Sequence, residues 1–160
     1  MPIEHDIQQL KNDYCIFVIE KDTISVSLID DKLRKIVLLE SSDKAELENT
    51  FHKIITLLKA LSFGKIEPMM NLVCKYDKES GWSVTIFLRS KHRPESFFAE
   101  GSEKILVSPA AIDLGGVLVI PSEKDFNKLN KEQISSIFKE VSLDQKNFLI
   151  LSETVKEKFN

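Results

Sequence analysis

The chain has 160 residues, of which 42% are hydrophobic and 29% charged, and its formal net charge is −3. That length suits one domain spanning 1–160, which can bury roughly 68–70% of its unfolded surface and needs no metal or disulfide staple. The mild negative balance excludes a nucleic-acid binder held by bulk charge, and no apolar run approaches the ~20 residues that cross a bilayer.

The first residues, Met1 to Asp6, lack the basic and apolar stretches of a signal peptide, so the cytoplasm is the expected location. Ile3, Ile7 and Leu10 recur at helical spacing and predict a short helix over 3–11, with Pro2 favouring its start. Residues 14–20 are β-branched and aromatic, hence a strand. Lys21-Asp22 is a turn. From Thr23 to Ile29, Ile24, Val26 and Leu28 alternate with Ser25 and Ser27, the pattern of a strand with one wet face. Asp30-Asp31 breaks it, and Arg34 to Leu39 is a third strand of the meander.

The clearest helix covers 43–62. Asp43 and Glu46 have the spacing of a capping box, Leu47, Phe51, Ile54, Ile55, Leu58 and Leu61 form its apolar stripe, and Gly64 is the candidate C-terminal cap. His52 falls on the helix surface beside Phe51. Met69 to Tyr76 and Trp82 to Leu88 are strands joined by Asp77 to Gly81, with Trp82 packing in the sheet. Cys15 and Cys74 lie in apolar runs and read as small buried hydrophobes. A disulfide between them is disfavoured in the cytosol.

Arg89 to Gly101 is a polar connection, and Lys104 to Val107 and Gly116 to Ile120 are short strands, the second stopped by Pro121. Asn130 with Gln133 opens an amphipathic helix carrying Ile134, Ile137, Phe138 and Val141, and Ser142 with Gln145 repeats the signature for a last helix with Phe148, Leu149, Leu151 and Val155. The order predicts an α+β class: a mainly antiparallel sheet, one long central helix and two C-terminal helices.

Two constellations carry chemistry. Arg89, Lys91, His92 and Arg93 cluster at a strand end. In an extended chain Arg89, Lys91 and Arg93 share one side, with Ser90 and His92 on the other. Arginine offers phosphate a planar fork and lysine a point charge, yet a solvated charged strand end accounts for the residue types more readily. Ser108, Asp113, Gly115 and Gly116 form the second group. The glycines let backbone approach a ligand, or make a plain turn between strands.

What is missing is equally informative. There is no dinucleotide-binding glycine pattern, no phosphate-binding P-loop and no nucleophile elbow. His5, His52 and His92 are scattered, and no Cys/His spacing suits a metal. Residues alone do not make this an enzyme, and they imply no cofactor.

The run Pro109 to Phe126 (Pro-Ala-Ala-Ile-Asp-Leu-Gly-Gly-Val-Leu-Val-Ile-Pro-Ser-Glu-Lys-Asp-Phe), with Glu140-Val-Ser-Leu-Asp and Phe148, resembles the C-terminal part of GDP-hexose phosphorylases. Those enzymes belong to the histidine-triad superfamily, together with galactose-1-phosphate uridylyltransferase. Ile86 to Glu95 resembles the family's strand that ends on the substrate side, and Pro2-Ile3-Glu4 resembles its motif after the catalytic histidines. The chain is most similar to a bacterial family related to these phosphorylases.

The resemblance implies a histidine-triad-like half. In such enzymes a histidine attacks the α-phosphorus of a nucleotide sugar, and the nucleotidyl-histidine is resolved by phosphate or a sugar phosphate. That histidine motif would lie before Met1, so no catalytic residue is assigned here. The implied role is a non-catalytic C-terminal domain that binds a nucleotide sugar or sugar phosphate beside a histidine-bearing N-terminal half or partner. Arg89, Lys91, His92 and Arg93 are then the phosphate contacts, and Ser108, Asp113, Gly115 and Gly116 shape the pocket. The alternative is a structural or oligomerisation domain, a homodimer for instance, using the sheet face and helix 43–62. A weaker third reading makes His92 a general base.

Overall fold

A computed structural model describes residues 2–61 and 67–159, with side chains from Asp6 onward. The chain runs α1 (Pro2–Tyr14), β1 (Cys15–Lys21), β2 (Ile24–Asp30), β3 (Lys35–Ser41), α2 (Lys44–Ala60), β4 (Met70–Asp77), β5 (Gly81–Leu88), α3 (Ala111–Leu114), α4 (Glu123–Lys128), α5 (Lys131–Val141) and α6 (Gln145–Phe159). It is an α+β fold. The five strands form one antiparallel sheet in the order β1-β2-β3-β5-β4.

Both faces of that sheet are covered. Ile24, Val26, Leu28, Val37, Leu39, Val84, Ile86 and Leu88 pack under α2 and α6, against Leu47, Ile54, Phe148, Leu151 and Val155. The opposite face, with Ile29, Ile36, Leu38 and Phe87, packs against Ile7 and Leu10 of α1, Leu114 of α3 and Phe138 of α5. The wet face expected on β2 is therefore not wet. Ser27 is fully buried and Ser25 half-buried, because α1 and the later helices pack on a side that a meander alone would leave open.

Two predicted strands are absent. Residues 104–107 and 116–120 have alternating burial but join no sheet. Buried carboxylates occupy the place of a neighbouring strand. Asp125 accepts the Leu106 N–H at 2.8 Å, and Asp113 accepts the Val119 N–H at 2.7 Å. Short helices α3 and α4, which periodicity did not reveal, exist to place these two aspartates.

Helix starts also differ in detail. Asp43 accepts from the Ala45 and Glu46 N–H groups, but Glu46 does not return the bond. Its carboxylate takes the Thr23 hydroxyl, and Ser41 Oγ accepts the Asp43 N–H at 3.0 Å. The capping box at Asn130 and Gln133 forms in both directions. Ser142 does not open α6; Asp144 does, accepting the Asn147 N–H at 2.9 Å. Helix α2 is capped at Leu61, while Gly64 lies outside the described residues, as do the side chains of Ile3 and His5. His52 is exposed on α2, and Trp82 packs against Tyr76 with ring centroids 4.7 Å apart.

The cysteines are less buried than their apolar runs suggest. Cys15 is half-buried and Cys74 exposed, both as free thiols. They sit on opposite edge strands, roughly 19 Å apart at ~4.8 Å per strand, too far for a disulfide. At the β4–β5 turn Asp77 accepts the N–H groups of Glu79 and Ser80, and Gly81 takes φ +81. A Cβ there would lie 2.5 Å from Ser41 O, so both conformation and space demand glycine. Gly81→Ala is expected to destabilise the fold by about 2 kcal/mol or more, read as a lowered midpoint in thermal or urea unfolding.

Candidate functional site: the cationic depression beyond strand β5

Strand β5 is interior to the sheet, between β3 and the edge strand β4, and its regular pairing ends at Leu88. The chain is then held from two sides. Arg89 N–H donates to Met69 O at 2.9 Å, Ser90 N–H to Val141 O at 2.9 Å, and Leu143 N–H returns to Leu88 O at 3.0 Å. Arg89 and Ser142 form an isolated antiparallel bridge. The expected alternation through Arg93 therefore does not occur. The backbone bends after Arg89, and each cationic side chain takes a separate direction.

Arg89 turns inward and is only 7% exposed. Its Nε donates to Lys91 O and its Nη2 to His92 O, at 3.1 and 2.8 Å. Nη1 donates to Asn71 Oδ1 and to Pro109 O. Four of the five guanidinium N–H groups are thus committed within the protein. Burial draws the guanidinium below its ordinary pKa, and the Asp113 carboxylate opposes that shift. Arg89 is a cross-brace that ties the bend at 91–92 to β4 and to the segment before α3.

Lys91 is half-exposed, and its ammonium binds Glu140 at 2.9 Å and Glu95 at 3.1 Å. The hydrogen bonds to Glu140 and then Glu95 raise its pKa. Glu140 also accepts the Glu95 N–H at 2.9 Å, so it anchors the bend to α5. Arg93 behaves differently. Its guanidinium lies over the Phe97 ring, 4.1 Å from the centroid, and among the described residues it has no carboxylate partner. His92 is exposed, and its carbonyl accepts from Arg89 and, at 3.3 Å, from Ser108 Oγ.

These residues line one open depression of about 800 Å³, with Asn71, Phe98, Ser108, Pro109 and Ala110 completing the wall. The structure thus brings Arg89, Lys91, His92, Arg93 and Ser108 together. Asp113 stands behind them, buried, accepting the Ala110 and Val119 N–H groups at 2.8 and 2.7 Å. It holds the wall from inside and does not face the opening.

Gly115 and Gly116 lie elsewhere. Gly115 caps α3 with φ −81, and at Gly116, with φ +103, an added Cβ would lie 3.2 Å from the Asp6 carboxylate. Arg34 joins that region, donating to Asp6 at 2.9 Å and to Leu114 O at 2.7 Å. The glycine pair fits α3 against α1 and is not part of the depression's lining.

Sequence reasoning missed Asn71, Glu140 and Phe98 as parts of this place. The inward alternation of β4 marks Asn71 only once β4 is known to be an edge strand beside Arg89. Nothing in the spacing of Glu140 points to Lys91, 49 positions away, and nothing in the polar run around Phe98 marks its ring as part of a cationic wall.

A second cavity of about 260 Å³ lies between α2, α6 and the end of β5, walled mainly by Leu58, Leu88, Leu143 and Leu151. Its leucines face a polar margin of Glu67, Arg89, Ser90, Asp144 and Asn147, and Arg89 is the one cation among the described residues that line it. Among the described residues no group of three or more His, Cys, Asp or Glu side chains is placed to hold a metal ion. No helix among them is long and apolar enough to cross a membrane.

No curated protein and no solved structure matches the chain. A family model described as "GDPGP1-like, C-terminal domain" matches residues 7–160, which takes in the whole sheet, the bend after β5 and every helix from α2 onward. By that match the chain belongs to the GDPGP1-like C-terminal domain family.

Proposed function

We propose that this domain contributes a phosphate subsite to a nucleotide-sugar phosphorylase or nucleotidyltransferase-like protein, and that the attacking histidine comes from a histidine-bearing N-terminal half or partner. The observation that carries the reading is Arg93: a stacked guanidinium at an open depression, with no carboxylate partner among the described residues. Arginine in that state presents paired N–H donors to a phosphate. His92 stands beside it in the same lining. Arg89 and Lys91 act differently, Arg89 by fixing the bend and Lys91 by pairing with Glu140 and Glu95. The exposed free thiol of Cys74 fits a reducing, cytoplasmic setting.

The test is calorimetric titration of the chain with GDP, GMP and hexose 1-phosphates, alone and with a histidine-bearing partner. Arg93→Ala is expected to weaken binding about tenfold or more, the worth of a charge-assisted hydrogen bond. Absence of binding at millimolar ligand in both settings overturns the reading.

A second reading, a docking or oligomerisation domain, loses the sheet face expected for it, because helices cover both faces, and rests instead on the sheet edges. Tyr14, Ile16 and Val18 beside one edge, and Leu72 and Tyr76 on the other, are exposed apolar side chains. A monomer by light scattering that captures no partner sinks it.

A further inference from the structure

One wall of the cationic depression is a largely exposed aromatic ring. Phe98 is 69% exposed, and water around so much apolar surface is unfavourable. Exposure alone does not single it out, since Phe126 on α4 is equally exposed. The difference is location. Phe98 lines the depression with His92, Arg93 and Ser108, whereas Phe126 does not.

The ring is also held in place. Its backbone N–H donates to Glu95 O at 2.9 Å, which fixes the short turn at Glu95–Phe97. Its ring meets Phe97 edge-on, with centroids 5.5 Å apart and planes at 73°. Phe97 in turn carries the Arg93 guanidinium on its face. The two phenylalanines and the arginine form one braced unit, in which Arg93 offers charge and Phe98 offers a face. An aromatic face beside a cation is the combination that takes a nucleobase together with its phosphate. A sugar phosphate needs only the cation.

We propose that Phe98 is a stacking wall, and that the depression therefore selects nucleoside phosphates over plain sugar phosphates, with the planar base against Phe98 and the phosphate at Arg93 and His92. This rests on the phosphate reading above and goes further by naming a specificity-determining residue and the part of the ligand that it contacts. The base contacts the ring without hydrogen-bond readout, so stacking confers preference for a base over none.

The experiment compares GMP with ribose 5-phosphate, which keeps sugar and phosphate but lacks the base, by calorimetry on the full chain and on Phe98→Ala and Phe98→Tyr. The expected result is GMP binding about tenfold tighter than ribose 5-phosphate. Phe98→Ala brings the two within about twofold, through loss of GMP affinity alone, and Phe98→Tyr restores the preference. The ring's exposure makes the alanine variant a mild one for folding. If ribose 5-phosphate binds but the base adds nothing, or if Phe98→Ala weakens both ligands alike, the stacking proposal is overturned and the phosphate subsite stands. If neither ligand binds, both are overturned.

Discussion

Arg89→Ala is expected to destabilise the protein by about 3–5 kcal/mol, the cost of removing one partner from a buried charged network. The guanidinium is 7% exposed and donates to the carbonyls of Lys91, His92 and Pro109 and to Asn71. Without it those acceptors lose their donors inside the fold, and the Asp113 carboxylate, which favours the charged guanidinium against burial, loses that opposite charge. For a domain of this length the shift in melting temperature is roughly 10 °C. Arg89→Lys is expected to recover little, because an ammonium cannot span acceptors that a planar fork reaches at once. Urea unfolding with an unchanged slope and a lower midpoint is the signature to seek. A variant within about 0.5 kcal/mol of the parent would place Arg89 among ordinary surface charges.

Asp113 should be nearly as sensitive. Its carboxylate accepts the N–H groups of Ala110 and Val119, and it is 7% exposed. Asp113→Ala leaves both donors without that acceptor, at about 1–3 kcal/mol each, and removes the charge facing Arg89. A total of about 3 kcal/mol is expected. Asp113→Asn keeps the shape but turns one acceptor into a donor, so it should retain only part of the loss. Because the two residues share one network, Arg89→Ala combined with Asp113→Ala should cost less than the sum of the single changes. Additive costs would show that the two residues act independently. Hydrogen exchange should rise first at 108–120 in Asp113→Ala, since that segment has carboxylates where a strand would have neighbours.

The same aspartates show where sequence reading reached and where it stopped. The meander, α2, the β4–β5 hairpin, α5 and α6 are legible because each buries a periodic apolar face, and periodicity survives in sequence. The segments 104–107 and 116–120 have the alternation of strands too, but alternation reports burial on one side and not a hydrogen-bonded neighbour. Asp113 and Asp125 supply the missing acceptors, and a side chain's choice of backbone partner leaves no period to read. Ser27 illustrates the reverse. Its polar type suggested solvent, but α1 covers that face.

At the site, residue types located the cationic cluster and could not assign its members. Arg89, Lys91 and Arg93 look alike in sequence. The fold buries the first, pairs the second with Glu140 and Glu95, and leaves the third stacked on Phe97. The difference depends on Asn71, Pro109 and Glu140, which come from other elements. The glycine pair was read with the depression because it follows Ser108 closely, yet α3 turns the chain so that Gly116 meets Asp6.

The central claim is that phosphate ligands enter the depression beyond β5. The most direct measurement is a two-dimensional amide spectrum of the isotope-labelled chain during addition of GMP. Saturable shifts are predicted at Lys91, His92, Arg93, Phe98, Ser108 and Ala110, which line the opening, with little change at Leu58, Leu143 and Leu151 around the second cavity. Shifts confined to that second cavity, or none at millimolar GMP, would contradict it.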